Sequence, residues 1–340
     1  MKIAVISTTI FPCPPPGYAG LEMVAYQQAS GLAKRGHSVL LVAPHGSSPP
    51  PGVELHGTTQ GESEMQAYSG YWHKLPAFDA IIDNSWQKWS YILKVEGKLK
   101  APILGVLHAP INTMYHKPPP VPKACFVAIS GDQAMHTVET LHIPARVAYN
   151  AVDSTFYKPQ VGVHRTNRYL FLARMSTIKG PHIAVDLAKK LGFPLDLVGD
   201  DALTGEPEYA ARIKASAIGN IVYYGGKPRE ECVRFFNQGK ALLHMNQLFR
   251  EPFGLAPVEA QACGLPVIAF DNGAMRETVR HGLTGFLVKS PEEVETLIRE
   301  DAVARINSSA CIEWAKTFSI ERMAETYERH IREALETGGW

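Results

Sequence analysis

At 340 residues the chain is long enough for two domains, each with its own core, and 34 Lys and Arg against 33 Asp and Glu leave a formal net charge of +1. That balance offers no electrostatic case for a nucleic-acid partner. Five cysteines (Cys13, Cys125, Cys232, Cys263, Cys311) are odd in number and lack Cys-x-x-Cys spacing, so they read as free thiols of a reducing cytoplasm, neither a metal site nor a disulfide framework.

The N-terminal run Met-Lys-Ile-Ala-Val-Ile-Ser reads as a first strand, not a signal peptide, and no apolar run approaches transmembrane length. A cytoplasmic location is therefore expected. Residues 2–7 and 38–43 are apolar and β-branched, as strands buried on both faces require. Between them Leu21, Ala25, Ala29 and Leu32 recur at helical spacing, and Gly36 ends that helix. Strand, helix, strand with a short return predicts a parallel, right-handed crossover. Further strands are predicted at 80–83, 102–107 and 125–129, making the first half a Rossmann-like α/β domain that ends near residue 150.

Within that half, Pro14-Pro-Pro-Gly17-Tyr18-Ala19-Gly20 links the first strand to the first helix. Gly20 would let backbone N–H groups approach an anion at the helix start. The stretch is not Gly-x-Gly-x-x-Gly, so a nicotinamide cofactor is not expected. Trp86, Lys88, Trp89 and Tyr91 suggest an aromatic, mildly basic helix, but no dense Lys/Arg cluster accompanies them and peripheral membrane contact is unsupported. His108 ends the strand at 102–107. The Pro-rich stretch 110–122 is long enough for a binding loop, and with Tyr18 and residues 68–73 it is a candidate lining for an acceptor site.

A second α/β series follows, with strands predicted at 168–173, 195–198, 221–224, 241–245 and 266–270. Arg174 and Lys179 stand five residues apart beyond the first of these, on a loop closed by Gly180-Pro181, where ligands of open α/β sheets bind. Two cations there suit a diphosphate leaving group, whose charge grows as its bond breaks. Ile221-Val-Tyr-Tyr-Gly225-Gly226 is a strand running into a tight turn. The segment from about Phe318, with Ile320, Met323, Tyr327 and Ile331, is an amphipathic helix.

The most informative stretch is Glu251-Pro-Phe253-Gly254-Leu255-Ala-Pro-Val-Glu259, followed by Ala-Gln-Ala-Cys-Gly264-Leu-Pro-Val-Ile-Ala-Phe270. Pro252 and Gly254 hold Glu251 and Phe253 in a loop, and a helix starts near Ala256 with Pro257 tolerated in its first turn. A Gly-containing loop entering a helix presents unpaired N–H groups and partial positive charge, which suits phosphate. Glu251 before the helix and Glu259 one turn inside it would accept hydroxyls on either side of a diphosphate.

Two Glu at that spacing, with Phe-Gly-Leu between and Cys-Gly-Leu-Pro-Val-Ile-Ala after, resemble the retaining glycosyltransferases of the GT-B fold, in particular the family-4 group called glycosyl transferases group 1. The resemblance extends to Arg174-x4-Lys179-Gly, to the Gly225 turn beside the nucleotide base, and to Asn150-Ala-Val-Asp153 as an interdomain linker, with Ala151 where Gly is usual. It implies two Rossmann-like, doubly wound domains facing each other across a cleft: residues 1–150 on the acceptor side, 151–317 for the nucleotide-sugar donor, and a helix at 318–340 crossing back to the first domain.

By the same resemblance Arg174 and Lys179 contact the phosphates, N–H groups around Phe253, Gly254 and Leu255 assist them, Glu251 holds sugar hydroxyls, and Glu259 holds the ribose. His108 would touch the transferred sugar, and Gly20 would approach the diphosphate, although Ala19 replaces the usual first Gly. The expected activity is metal-independent, retaining transfer from a nucleotide-diphosphate sugar, UDP-linked first and GDP-linked next. The acceptor would be a carbohydrate, lipid-linked or small-molecule hydroxyl, and no separate cofactor or metal is expected. No Asp-x-Asp occurs to clamp a metal. Two alternatives share the diphosphate site: a nucleotide-sugar 2-epimerase or hydrolase, and a non-catalytic nucleotide-sugar-binding protein. The second is disfavoured by what would be two buried cations and two carboxylates.

Overall fold

The computed structural model describes residues 1–17, 19–110, 123–201 and 204–340. The chain divides into two compact units, one of Met1–Ala151 with Ile320–Trp340 and one of Val152–Ser319.

The first unit is built on seven parallel strands, β1 (Lys2–Ile6), β2 (Ser38–Pro44), β3 (Val53–Thr58), β4 (Ala80–Asp83), β5 (Ile103–Leu107), β6 (Cys125–Ala128) and β7 (Ala145–Val147), in the order β3-β2-β1-β4-β5-β6-β7. β1 pairs with β2 on one side, Ile3 opposite Val39, and with β4 on the other, Ile3 opposite Ala80. Ile3, Ala4 and Val5 are wholly buried, as a central strand covered on both faces must be. The edge strands β3 and β7 escape sequence prediction for the opposite reason. Val-Glu-Leu-His-Gly-Thr and Ala-Arg-Val are half-exposed and carry no continuous apolar run.

The helix Gly20–Lys34 follows β1, and the C-terminal helix Ile320–Thr337 packs against it. Gly31 explains how closely: a Cβ there would lie 2.7 Å from the Ala324 Cβ. Tyr327 accepts a hydrogen bond from Gln28 Nε2 at 2.9 Å, and Arg35 pairs with Glu328 at 2.6 Å. The amphipathic stripe of Ile320, Met323, Tyr327 and Ile331 is buried within the first unit.

The second unit holds six parallel strands, β8 (Tyr169–Leu172), β9 (Leu195–Val198), β10 (Ile221–Gly225), β11 (Leu242–His244), β12 (Val267–Phe270) and β13 (Gly285–Val288), ordered β10-β9-β8-β11-β12-β13. Each sheet therefore winds outward from its first strand, then restarts on that strand's other side. This places a topological switch point between β1 and β4 in one unit and between β8 and β11 in the other. The fold is α/β throughout, with helices following strands as the alternating pattern requires. All five cysteines are buried and unbridged.

Candidate functional site

In the second unit the loops leaving β8 and β11 meet at the switch point. Gly180, at φ +70°, makes the approach possible, because a Cβ there would stand 1.9 Å from the Met245 carbonyl oxygen. The result is a short, mostly buried ion pair. Lys179 Nζ lies 2.6 Å from Glu251 Oε2, with side chains only 15% and 10% exposed. Asn246 Nδ2 donates to the same oxygen at 2.8 Å, and His244 Nε2 stands 3.5 Å away without forming a hydrogen bond. Burial alone would raise the Glu251 pKa, but the Lys179 ammonium and His244 outweigh it and hold the carboxyl well below the usual range. Glu251 is thus a fixed anion. Lys179 also lies 4.7 Å over the Phe249 ring.

The backbone around Glu251 is held from several sides. Its carbonyl accepts from Ala274 N at 2.9 Å, and a Cβ on Gly273 would fall 2.4 Å from that oxygen. Asn272 Nδ2 donates to the Phe249 and Gln247 carbonyls at 2.9 and 3.1 Å. Asn246, His244 and Asn272 escape sequence reasoning because nothing in their spacing separates them from ordinary loop and strand-end residues.

Gly254, at φ +81°, turns the chain into the helix Leu255–Ala262. No side chain caps that helix, so its first N–H groups point outward beyond the Gly254 turn. Phe253 is core: its ring packs edge-on against Phe318 at 5.5 Å, so only its main chain is positioned for a ligand. Glu259 is buried and hydrogen-bonded to Tyr157, whose phenol is pushed up by burial and then by that carboxylate. Arg229 Nε reaches the same phenol at 3.2 Å. Tyr157 and Arg229 are therefore neighbours of Glu259 that sequence spacing does not reveal.

Arg174 is exposed and makes no ion pair among the described residues. This corrects the expectation of two buried cations: only Lys179 is sequestered, because only Lys179 has a buried carboxylate to meet. Gly225 ends β10 at φ +74°, and its carbonyl accepts from Gly199 N at 2.9 Å, holding two strand-end turns together.

In the first unit Gly20 is the first residue of its helix. His108 lies just past β5, and its Nε2 is 2.9 Å from Asn84 Oδ1, beyond the end of β4. Asn84 is thus at that sheet's switch point, and His108 one strand further along the sheet. The aromatic segment departs from expectation. Helix occupies only Tyr91–Val95, while residues 86–90 form turns in which Lys88 adopts φ +50°. Glu64 accepts the Trp86 and Gln87 N–H groups at 2.7 and 2.6 Å, and Lys88 is buried, donating to the Ser85 carbonyl at 2.7 Å. The local pattern reads as helix, but the half-buried carboxylate of Glu64 and the buried one of Asp83 recruit these backbone groups and side chains instead. Tyr18 and residues 111–122, candidates for the acceptor side, lie outside the described residues. Tyr68 packs edge-on against Tyr71 at 5.7 Å.

Residues 153–305 match the family described as glycosyl transferases group 1. That stretch is 153 of the 340 residues, just under half of the chain. It contains Arg174, Lys179, Gly225, Glu251 and Glu259. A D-inositol 3-phosphate glycosyltransferase of Mycobacterium marinum is 29% identical over 179 residues, covering 48% of this chain and 38% of that protein. The chain thus spans well under two thirds of that relative. Over its whole length it has the GT-B glycosyltransferase fold. HepE of Anabaena, solved with UDP-glucose, aligns with TM-score 0.76 at 19% identity, covering 99% of this chain and all 100% of that one. Sucrose-phosphate synthase of Thermosynechococcus elongatus aligns with TM-score 0.80 at 16% identity, covering 99% of each. At such identities these likenesses establish the fold alone. Among the described residues no group of three or more His, Cys, Asp and Glu could hold a metal, and no helix is long and apolar enough to cross a membrane.

Proposed function

We propose that the protein is a retaining glycosyltransferase that moves a sugar from a nucleotide-diphosphate donor to an acceptor hydroxyl without a metal ion. The observation that carries this reading is the Lys179–Glu251 pair, anchored at a switch point beside the uncapped N-terminus of the helix Leu255–Ala262. An ammonium, an exposed guanidinium and the N–H groups of a helix start that no side chain caps together suit a diphosphate, while a fixed carboxylate suits sugar hydroxyls. Lys179 and Arg174 would neutralise the charge that develops as the bond from anomeric carbon to phosphate oxygen breaks. N–H groups of residues 253–255 would share that charge. Glu251 would accept from sugar hydroxyls, and Glu259 from the ribose.

In this reaction the acceptor oxygen bonds to the anomeric carbon on the face the diphosphate leaves, and its proton passes to a phosphate oxygen. No protein nucleophile is required. UDP-sugars are the first donor class to test, since the GT-B neighbour HepE is described with UDP-glucose, and GDP-sugars are next. The acceptor is a hydroxyl of a carbohydrate, a lipid-linked sugar or a small molecule. The mycobacterial relative, named for D-inositol 3-phosphate, makes a phosphorylated polyol one to include.

The test is release of nucleoside diphosphate and of glycosylated product from a panel of UDP-, GDP- and ADP-sugars, each with an acceptor panel and with EDTA present. The expected result is acceptor-dependent turnover that survives EDTA and retains anomeric configuration. Loss of such turnover in Glu251→Gln by a hundredfold or more would match a group that acts on the transition state. Complete turnover of donor without acceptor would overturn the reading in favour of an epimerase or hydrolase. Full activity in Glu251→Gln would overturn the site.

A further inference from the structure

The protein groups around Glu251 all stand against one of its two oxygens. Lys179 Nζ at 2.6 Å, Asn246 Nδ2 at 2.8 Å and His244 Nε2 at 3.5 Å face Oε2. Among the described residues no group donates to Oε1.

Asn246 is 2% exposed, and its amide is fixed at both ends. Its Oδ1 accepts from the Phe249 N–H at 3.2 Å, while its Nδ2 donates to Glu251. A backbone N–H only donates and an ionised carboxylate only accepts, so neither end tolerates a flipped amide. The turn itself is pinned by Asn272, which donates to the Gln247 and Phe249 carbonyls. Lys179 brings charge on a long, rotatable stem and so sets little direction. The short, doubly bonded amide of Asn246 sets the direction.

We propose that Asn246 is a positioning residue that turns Glu251 so that Oε2 is taken up by the protein and Oε1 alone is offered to substrate hydroxyls. This rests on the glycosyltransferase reading for the identity of the ligand, whereas the orientation of the carboxylate follows from contacts within the second unit. A rotating carboxylate would offer two oxygens in many directions. Held by Asn246, it offers the lone pairs of one oxygen in one plane, and so discriminates among hydroxyls by where they point.

Variants of the full chain test this, each compared with the parent at the same pH. Asn246→Ala removes the donor and is expected to lose about ten- to a hundredfold in kcat/KM, the worth of a hydrogen bond to a charged group. Added to Glu251→Gln, it is expected to cost no further activity, because Asn246 acts through that carboxylate. Losses that multiply overturn the proposal, as does an Asn246→Ala variant within about twofold of the parent.

Asn246→Asp keeps the shape and the acceptor facing Phe249, but sets a second carboxylate against Oε2. The other titratable groups around that oxygen are Lys179 and His244. Two carboxylates so close take up a proton between them more readily than both ionise. Once protonated, the introduced acid donates to Oε2 as the amide did. Asn246→Asp is therefore expected to lose activity most at about pH 8 and to recover toward the parent by about pH 5.5, while the Asn246→Ala loss stays constant. Asn246→Ala keeps His244, so recovery in both variants assigns the effect to the imidazole and overturns the proposal. Recovery in neither overturns it as well.

Thermal melts without substrate read the same contact. The Asn246→Asp Tm should lie about 5 °C or more below the parent at about pH 8, with the gap closing toward about pH 5.5. A gap that ignores pH overturns the hold of Asn246 on Glu251. A chain that turns over no nucleotide sugar overturns the transferase reading and the substrate half of the proposal with it, whereas the melts decide that hold without turnover.

Discussion

Replacing Lys179 by Met removes the cation from Glu251 while keeping a similar stem. In the parent, Glu251 is an anion with its side chain 10% exposed and one oxygen shared by Lys179, Asn246 and His244. Taking one partner from a buried pair costs about 3–5 kcal/mol, because the remaining charge keeps its desolvation penalty and loses its attraction. Asn246 and His244 remain, so the lower end, about 3 kcal/mol, is expected at pH 7. For a unit of this size that is a fall in Tm of about 6–12 °C.

The sign with pH follows from Glu251. Its folded pKa is held below the ordinary glutamate value, so in the parent it contributes stability that is present above that value and lost as pH falls toward the depressed one. Without Lys179, burial dominates and the folded pKa rises above the unfolded one, so the variant's penalty is full at neutral pH and relieved on acidification. The gap between parent and variant should be widest near pH 7 and should narrow toward pH 4. Urea denaturation followed by circular dichroism at several pH values reads this directly. A gap below about 1 kcal/mol at pH 7, or one constant from pH 4 to 8, would refute the view that Lys179 holds a buried anion.

Arg174→Ala should leave Tm within about 1–2 °C, since the side chain is exposed and outside any ion pair among the described residues, yet lower kcat about 10–100-fold by losing a charge-assisted phosphate contact. Equal activity of variant and parent at saturating donor would sink that role. Gly180→Ala should destabilise by about 3 kcal/mol or more, combining a left-handed backbone with a Cβ 1.9 Å from the Met245 oxygen, and should cost activity because Lys179 is its neighbour. A thermal melt and a turnover assay check both halves. Gly31→Val should push the C-terminal helix away from the first helix, since even a Cβ meets Ala324 at 2.7 Å. Faster amide exchange across Ile320–Thr337 is the expected readout, and unchanged protection there would contradict the packing.

The chain's two sheets were legible because their central strands are short apolar runs separated by helical periods. The predicted strand at 80–83 coincides with β4 and that at 195–198 with β9, and the others differ by a residue or two at their ends. β3, β7 and β13 were not predicted, because an edge strand is half-exposed and its sequence need not be apolar. The Trp86–Trp89 turns were misread for a related reason: local composition favoured helix, while Glu64 and Asp83, distant in sequence or folded over the segment, claimed its backbone and hydroxyl groups. Lys179, Glu251 and Glu259 stood out in the sequence because their chemistry needs charged residues at fixed offsets from glycines. What each charge meets was decided only by tertiary structure. Glu251 is paired because the loops after β8 and β11 converge at Gly180, and Arg174 is left in solvent a few residues away. Asn84, Gln28 and Tyr327 carry no motif at all. They acquire a shared direction because Asn84 is fixed by the Ile6 carbonyl, which can only accept, and Gln28 and then Tyr327 follow from it along the chain of bonds.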